Sequence, residues 1–331
     1  MIISKTPFRI SFFGGGTDHA EWYKNYGGAV LSTTFDKYCY ISLRKLPNFF
    51  DHKFRVVYSK IESVQELDEI KHPSVRETLK FFDIKDGLEI HHDGDLPARS
   101  GIGSSSSFTV GLVKAIHAFN GKLISPEELA NESIFIEQEL IKECVGSQDQ
   151  IAAAYGGFNK IEFKRSGEFV VNPVLLQPER VQSFNDHLML FYTGISRFSS
   201  DIARSQLDNI DLNISKMKEM TRLVDQAIEI LQDTKISINE IGSLMNQGWL
   251  LKKNLSNEIS TKQIDKIYHD AINAGAIGGK ILGAGGGGFI LFFVEPKNHG
   301  SVRSALSNLT FVPFRFENSG SSIALYSPNG L

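Results

Sequence analysis

Two features of this chain could do chemistry on a phosphate: a loop dense in glycine and serine, and two carboxylates twelve positions apart. The loop is Pro97-Ala98-Arg99-Ser100-Gly101-Ile102-Gly103-Ser104-Ser105-Ser106-Ser107. Its glycines let a backbone approach an anion, and the helical rhythm that follows leaves first-turn N–H groups unpaired and aimed at the ligand. The serine hydroxyls add donors and can serve Mg2+ as oxygen ligands. The plain alternative is a glycine/serine turn with a serine N-cap. The carboxylates are Glu137, set among Ile134, Ile136, Leu140 and Ile141, and Asp149, between Gly146-Ser147-Gln148 and Gln150. A hard cation needs oxygen ligands, and a hydroxyl that accepts a phosphoryl group needs a carboxylate to orient it or take its proton. Solvated surface residues are the competing reading of this pair.

Three further stretches could join such a site. Phe12-Phe13-Gly14-Gly15-Gly16-Thr17-Asp18 ends a strand with a hydroxyl and a carboxylate, which suits a polyol. Arg9, on the same otherwise apolar strand, must meet an anion or a carboxylate if it is buried. Gly283-Ala284-Gly285-Gly286-Gly287-Gly288 fits GxGxxG, but a dinucleotide fingerprint opens a helix, and this run is followed by the strand Phe289-Ile290-Leu291-Phe292-Phe293-Val294. It reads as a hairpin able to pack against the serine loop or to bring Gly285 and Gly286 close to a substrate.

The elements that must position these residues begin with short β-rich runs at 8–13, 38–43 and 54–58, a helical pattern over 64–82 and a strand at 88–92. A helix runs from the serine cluster to Phe119, and Ser125-Pro126-Glu127-Glu128 caps another that continues through Ile141. Asp149 lies early in the next helix, which Gly156-Gly157 ends. Strands follow at 158–163, 169–171 and 188–192, and residues 202–274 read as helices broken near 233–235 and 257–260. The end returns to β, with a helix near 302–306 and a strand at 311–316. This order predicts an α+β protein of two lobes, 1–185 and 186–331, with no internal repeat.

The chain has 331 residues, 41% hydrophobic and 22% charged, with a net charge of -3. No global basic footprint invites nucleic acid. The first residues have too short an apolar run and too early an arginine for a secretory leader, and no run approaches the length of a membrane span, so a cytoplasmic protein without a membrane partner is expected. Cys39 and Cys144 lack zinc or disulfide spacing, and His91-His92 lacks the spacing of a helical metal pair.

Together, Pro7 to Asp18, Leu96 to Ser107 and Lys280 to Phe289 resemble the three ordered motifs of the GHMP kinases, and no Walker A sequence occurs. The resemblance implies a two-lobed fold binding ATP and Mg2+, with Pro97, Arg99, Ser100, Gly101, Ile102, Gly103, Ser104, Ser105, Ser106 and Ser107 around the ATP phosphates. It implies Ser105 and Glu137 as metal ligands, Asp149 as catalytic carboxylate, Arg9 as the cation near the transferred phosphoryl, and Gly15, Gly16, Thr17 and Asp18 at the sugar. Gly14-Gly15-Gly16 replaces the Gly-Glu-His of galactokinases, and the motifs look most like the branch that phosphorylates the anomeric hydroxyl of D-glycero-D-manno-heptose 7-phosphate for surface glycans. Such a substrate needs cations; Arg99, Arg197, Lys252, Lys253 and Lys280 are candidates, with Arg197 and Lys280 preferred. Fucose- or galactose-type kinases, an NAD-dependent oxidoreductase and a non-catalytic sensor are the competing readings, and a homodimer is left open.

Overall fold

The computed structural model describes residues 1–195 and 199–328, the side chains of 199–201 excepted. The N-terminal half contains β1 (Ile2–Phe13), α1 (Ala20–Tyr26), β2 (Gly28–Lys45), β3 (Phe54–Val57), β4 (Ile61–Val64), α2 (Pro73–Phe81) and β5 (Leu88–Gly94). It continues through α3 (Ser104–Phe119), α4 (Pro126–Phe135), α5 (Gln148–Tyr155), β6 (Phe158–Phe163) and β7 (Phe169–Pro173). The rest comprises α6 (Pro178–Asp186), β8 (Leu188–Tyr192), α7 (Ser199–Leu207), α8 (Ile214–Gln232), α9 (Asn239–Lys253) and α10 (Lys262–Asn273). It ends with β9 (Ala276–Ile281), β10 (Phe289–Val294), α11 (His299–Ala305), β11 (Thr310–Val312), β12 (Phe316–Glu317) and β13 (Ser322–Tyr326).

Among the described residues the strands form two sheets, one of nine strands built on β13-β1-β2-β5-β3-β4 and one ordered β11-β8-β10-β9. The long strand β2 holds the first together, pairing with β6 through its first half and β5 through its second. Helix α3 packs on β1 and β2. Its buried Val110, Leu112, Val113 and Ile116 make it apolar nearly all round, as a helix enclosed within a core must be. In the second sheet, β10 is buried at all six positions, which is why Phe289-Ile290-Leu291-Phe292-Phe293-Val294 shows no alternation.

The α+β architecture and the helix breaks near 233–235 and 257–260 agree with the sequence. The lobe boundary does not hold as a clean cut, because β12 pairs with β2 and β13 with β1, which returns the end of the chain to the N-terminal sheet. Pro313 lies between β11 and β12 and splits the single strand expected at 311–316. The helix expected over 64–82 is in fact the end of β4 followed by α2, whose start carries Pro73 at its first position. The helix begun at Ser125 has the capping box with Glu128, but its last turn widens into a π-helical turn over Ile136–Leu140, which carries Glu137. No helix among the described residues is long and apolar enough to cross a membrane.

Candidate active site

A cleft of about 230 Å³ runs between the serine loop, the end of β1, the start of α5 and the loop after β9. The loop feeds α3 through Gly103, whose left-handed backbone (φ 75°) serves as the N-cap without a side-chain cap. The first hydrogen bond inside the helix runs from Ser107 N to Gly103 O, so the N–H groups ahead of Ser107 are left for a ligand. Arg99, Gly101, Gly103, Ser104, Ser105 and Ser106 line the cleft. The expected contacts of Pro97, Ser100, Ile102 and Ser107 are not part of the lining. Ser100 Oγ donates to Pro97 O at 2.6 Å, Ser107 Oγ donates to Pro7 O at 3.0 Å, and the buried Ile102 accepts from Arg9 N. These four shape the loop from behind.

Arg9 and Asp149 meet in the cleft. Arg9 Nε and Nη2 donate to the two Asp149 carboxylate oxygens at 2.7 Å each, and Nη1 donates to Gly101 O at 2.6 Å. Two parallel donors require the ionised carboxylate and fix its plane. Burial pushes the Asp149 carboxyl upward, against the pull of Arg9 and with the help of Asp18, which moves it toward the range useful to a general base. Arg9 is thus engaged with both Asp149 and the loop on the wall of the cleft. A Cβ at Gly103 would sit 3.4 Å from Asp149 Oδ2, so glycine there also keeps the carboxylate open.

Glu137 lies fully buried beneath the serine turn. Ser106 Oγ donates to its Oε2 at 2.8 Å, Gln150 Nε2 donates to the same oxygen, and Oε1 has no protein partner. Burial raises this carboxyl to about 7. The serine that reaches it is Ser106, not the expected Ser105; a helical residue turns through about 100°, and Ser105 faces outward while its neighbour faces in. Among the described residues no cluster of three His, Cys, Asp or Glu could hold a metal. One carboxylate with an unused oxygen, beside hydroxyls, still fits Mg2+, which keeps waters and takes further oxygens from bound phosphates.

On the opposite wall, Gly15, Gly16 and Asp18 line the cleft, joined by Gln148, Lys252 and Lys280. Asp18 accepts from Gly16 N at 2.8 Å and Gln148 Nε2 at 3.0 Å. Thr17, expected at the substrate, is wholly buried and bridges Gly14 O and Ala29 O with its hydroxyl, so its work is to hold the turn. Lys280 Nζ donates to Phe12 O at 3.0 Å, and Lys252 Nζ donates to Gly283 O. Burial pulls the Lys252 ammonium down to about 8 and holds Lys280 well below its ordinary range, the latter pressed also by Lys252 and Arg9. Lys253, by contrast, turns away and pairs with Asp265 at 2.7 Å. Arg197 lies outside the described residues.

The glycine run joins two antiparallel strands, so it opens no helix and is not a dinucleotide fingerprint. It packs on the serine loop: Phe289 N donates to Ser100 O at 3.0 Å, and a Cβ on Gly283 would lie 2.6 Å from Gly101 Cα. Gly283 and Ala284 line the cleft; Gly285 and Gly286 do not, because they pack against Ile259, whose carbonyl accepts from Gly286 N at 2.9 Å. Sequence reasoning missed Ser11 and Gln148 in the cleft. Period-two alternation places Ser11 on the face of Arg9, and Gln148 adjoins Asp149, so both signals were available.

The family model described as GHMP kinases N terminal domain matches residues 70–157, and that described as GHMP kinases C terminal matches 227–310. The chain belongs to the GHMP kinases. It is 29% identical to a D-glycero-alpha-D-manno-heptose 7-phosphate kinase of Campylobacter jejuni, over 92% of this chain and 93% of the other. It is 27% identical to a mevalonate kinase of Pyrococcus abyssi, over 92% of each chain. The fold is shared with the crystal structure of a D-glycero-D-manno-heptose 1-phosphate kinase from Bacteriodes thetaiotaomicron, at a TM-score of 0.80 and 24% identity over 99% of this chain and 100% of that one.

Proposed function

We propose that this chain is a sugar kinase that transfers the γ-phosphoryl group of ATP to the anomeric hydroxyl of D-glycero-D-manno-heptose 7-phosphate, yielding ADP and the bisphosphate, in the cytoplasm and on a route to surface glycans. The observation that carries the chemistry is the Arg9–Asp149 pair, a carboxylate held in one orientation by two 2.7 Å bonds on the wall of a cleft that also holds a helix N-terminus. The acceptor class rests on the similarity to the heptose 7-phosphate kinase.

In this reading the α3 N-terminus and Arg99 receive the ATP phosphates, and Asp149 takes the proton of the attacking hydroxyl. Arg9 keeps Asp149 ionised and oriented while the loop N–H groups compensate charge on the departing ADP. Ser106 and Glu137 would hold Mg2+, with Ser105 at the exposed tip of the same turn. The ion neutralises charge on the phosphates. Asp18, Gly15 and Gly16 face the sugar, and Lys252 and Lys280 bring their side-chain nitrogens beside it.

The test is ADP release by the purified chain with Mg-ATP across heptose, fucose, galactose and mevalonate, with heptose 1- and 7-phosphates offered separately. Fastest turnover of the 7-phosphate is expected. Preferred turnover of another acceptor reassigns the substrate, and no turnover of any removes the kinase reading.

A further inference from the structure

Two buried polar atoms in the acceptor wall have no partner in the protein: Ser11 Oγ and Gln148 Oε1. Ser11 is 5% exposed and Gln148 9%, and both line the cleft. The orientation of the Gln148 amide is set by chemistry. Asp18 Oδ2 can only accept, so the amide nitrogen faces it at 3.0 Å and the oxygen is the atom left over. The two side chains border Gly15, where a Cβ would lie 3.6 Å from Ser11 Oγ and 3.7 Å from Gln148 Nε2. The missing side chain leaves space beside both groups.

An acceptor buried without a partner lowers stability, so natural folds retain few of them outside places where a ligand completes the bond. Other unpartnered atoms, such as Trp22 Nε1 and Thr78 Oγ1, are not on the cleft wall, and Glu137 Oε1 lies beneath the phosphate side. Ser11 and Gln148 share a wall with Asp18, itself an acceptor. Three acceptors side by side, with Lys252 and Lys280 as donors on the same wall, suit a ligand whose hydroxyls both donate and accept.

We propose that Ser11 Oγ and Gln148 Oε1 are specificity-determining contacts that hydrogen-bond acceptor hydroxyls other than the one phosphorylated. The ligand class is a polyol with adjacent free hydroxyls, and Gln148 also steadies Asp18 through its amide nitrogen. The inference rests on the sugar-kinase reading for which molecule is the acceptor, but it is a statement about binding and is tested as such.

The full chain, saturated with a non-hydrolysable ATP analogue and Mg2+, is titrated calorimetrically with heptose 7-phosphate and its single-deoxy derivatives. Wild type is compared with Ser11→Ala and Gln148→Met. Each substitution is expected to weaken heptose 7-phosphate roughly 10- to 100-fold while nucleotide affinity stays within about twofold. Ser11→Ala removes a hydroxyl with no protein partner, so its melting temperature is expected to hold or rise. For each variant, one deoxy derivative that binds wild type weakly is expected to lose no further affinity, which identifies the hydroxyl read. Wild-type affinity in both variants overturns the proposal. So does an equal loss for every derivative, which would mean the residues act only through Asp18, and so does failure of wild type to bind the sugar. Sugar binding that responds to the variants without any phosphoryl transfer sinks the kinase reading alone; normal transfer with unchanged KM in the variants sinks this inference alone.

Discussion

The loop at 97–107 and the run at 283–288 are both dense in small residues, and they touch each other, yet only the first opens a helix. The serine loop ends in the N-terminus of α3 and offers unpaired N–H groups and hydroxyls to the cleft. The glycine run joins β9 to β10 and spends its closeness on protein backbone, against Ser100, Gly101 and Ile259. Glycine density marks close approach; the element that follows decides what is approached.

The largest effect expected across this division is on the carboxylate that the serine loop frames. Asp149→Asn should lower kcat by about 10³-fold, within the span of general-base contributions, with ATP affinity little changed. Steady-state kinetics and nucleotide titration check it, and a near-native rate would remove Asp149 from the mechanism. Next comes the buttress itself. Gly288 has φ 82° and a Cβ there would lie 2.1 Å from Ser100 O. Gly288→Ala should therefore cost about 3 kcal/mol and raise the KM for ATP, although Gly288 does not line the cleft. Denaturant unfolding and ATP kinetics read the two effects, and an unaltered KM would separate the two loops functionally.

A third prediction tests the burial of Glu137 under the serine turn. Its folded carboxyl stands at about 7 against an ordinary 4.5, so between those values the folded state holds a proton that the unfolded state has released. Stability of the ion-free protein should accordingly fall as pH rises from about 4.5 to about 7, by roughly 3 kcal/mol, and then level. Glu137→Gln should flatten that slope in unfolding measured at several pH values; an unchanged slope would assign it elsewhere. The smallest effect is expected next door to the cleft. Lys253→Ala breaks only a half-exposed pair with Asp265 and should shift stability by under about 0.5 kcal/mol with kcat unchanged, whereas Lys252 faces the site. A loss of activity in Lys253→Ala would extend the site beyond the present wall.

Much of this was legible in the chain before any coordinates. A capping box placed the start of α4, the serine cluster before a helical rhythm placed α3, and Gly156-Gly157 placed the end of α5. The strand after Gly288 excluded a dinucleotide loop, and Arg9 on an apolar strand demanded a charged partner. Local spacing carries such information because a helix start or a hairpin is decided within a few residues. The partner of Arg9 was not local: 140 residues separate it from Asp149. Nor was the rotation that turns Ser106 rather than Ser105 onto Glu137, or the π-helical turn that carries Glu137, because neither changes the hydrophobic pattern. Thr17 and Asp18 are adjacent and equally polar, and only packing sends one hydroxyl into the turn and one carboxylate into the cleft. The sequence by itself determined the loops, the helix starts and the inventory of reactive groups. Tertiary structure alone decided which groups share a cavity and which have their hydrogen bonds filled by the protein, since both depend on long-range packing that no local pattern encodes.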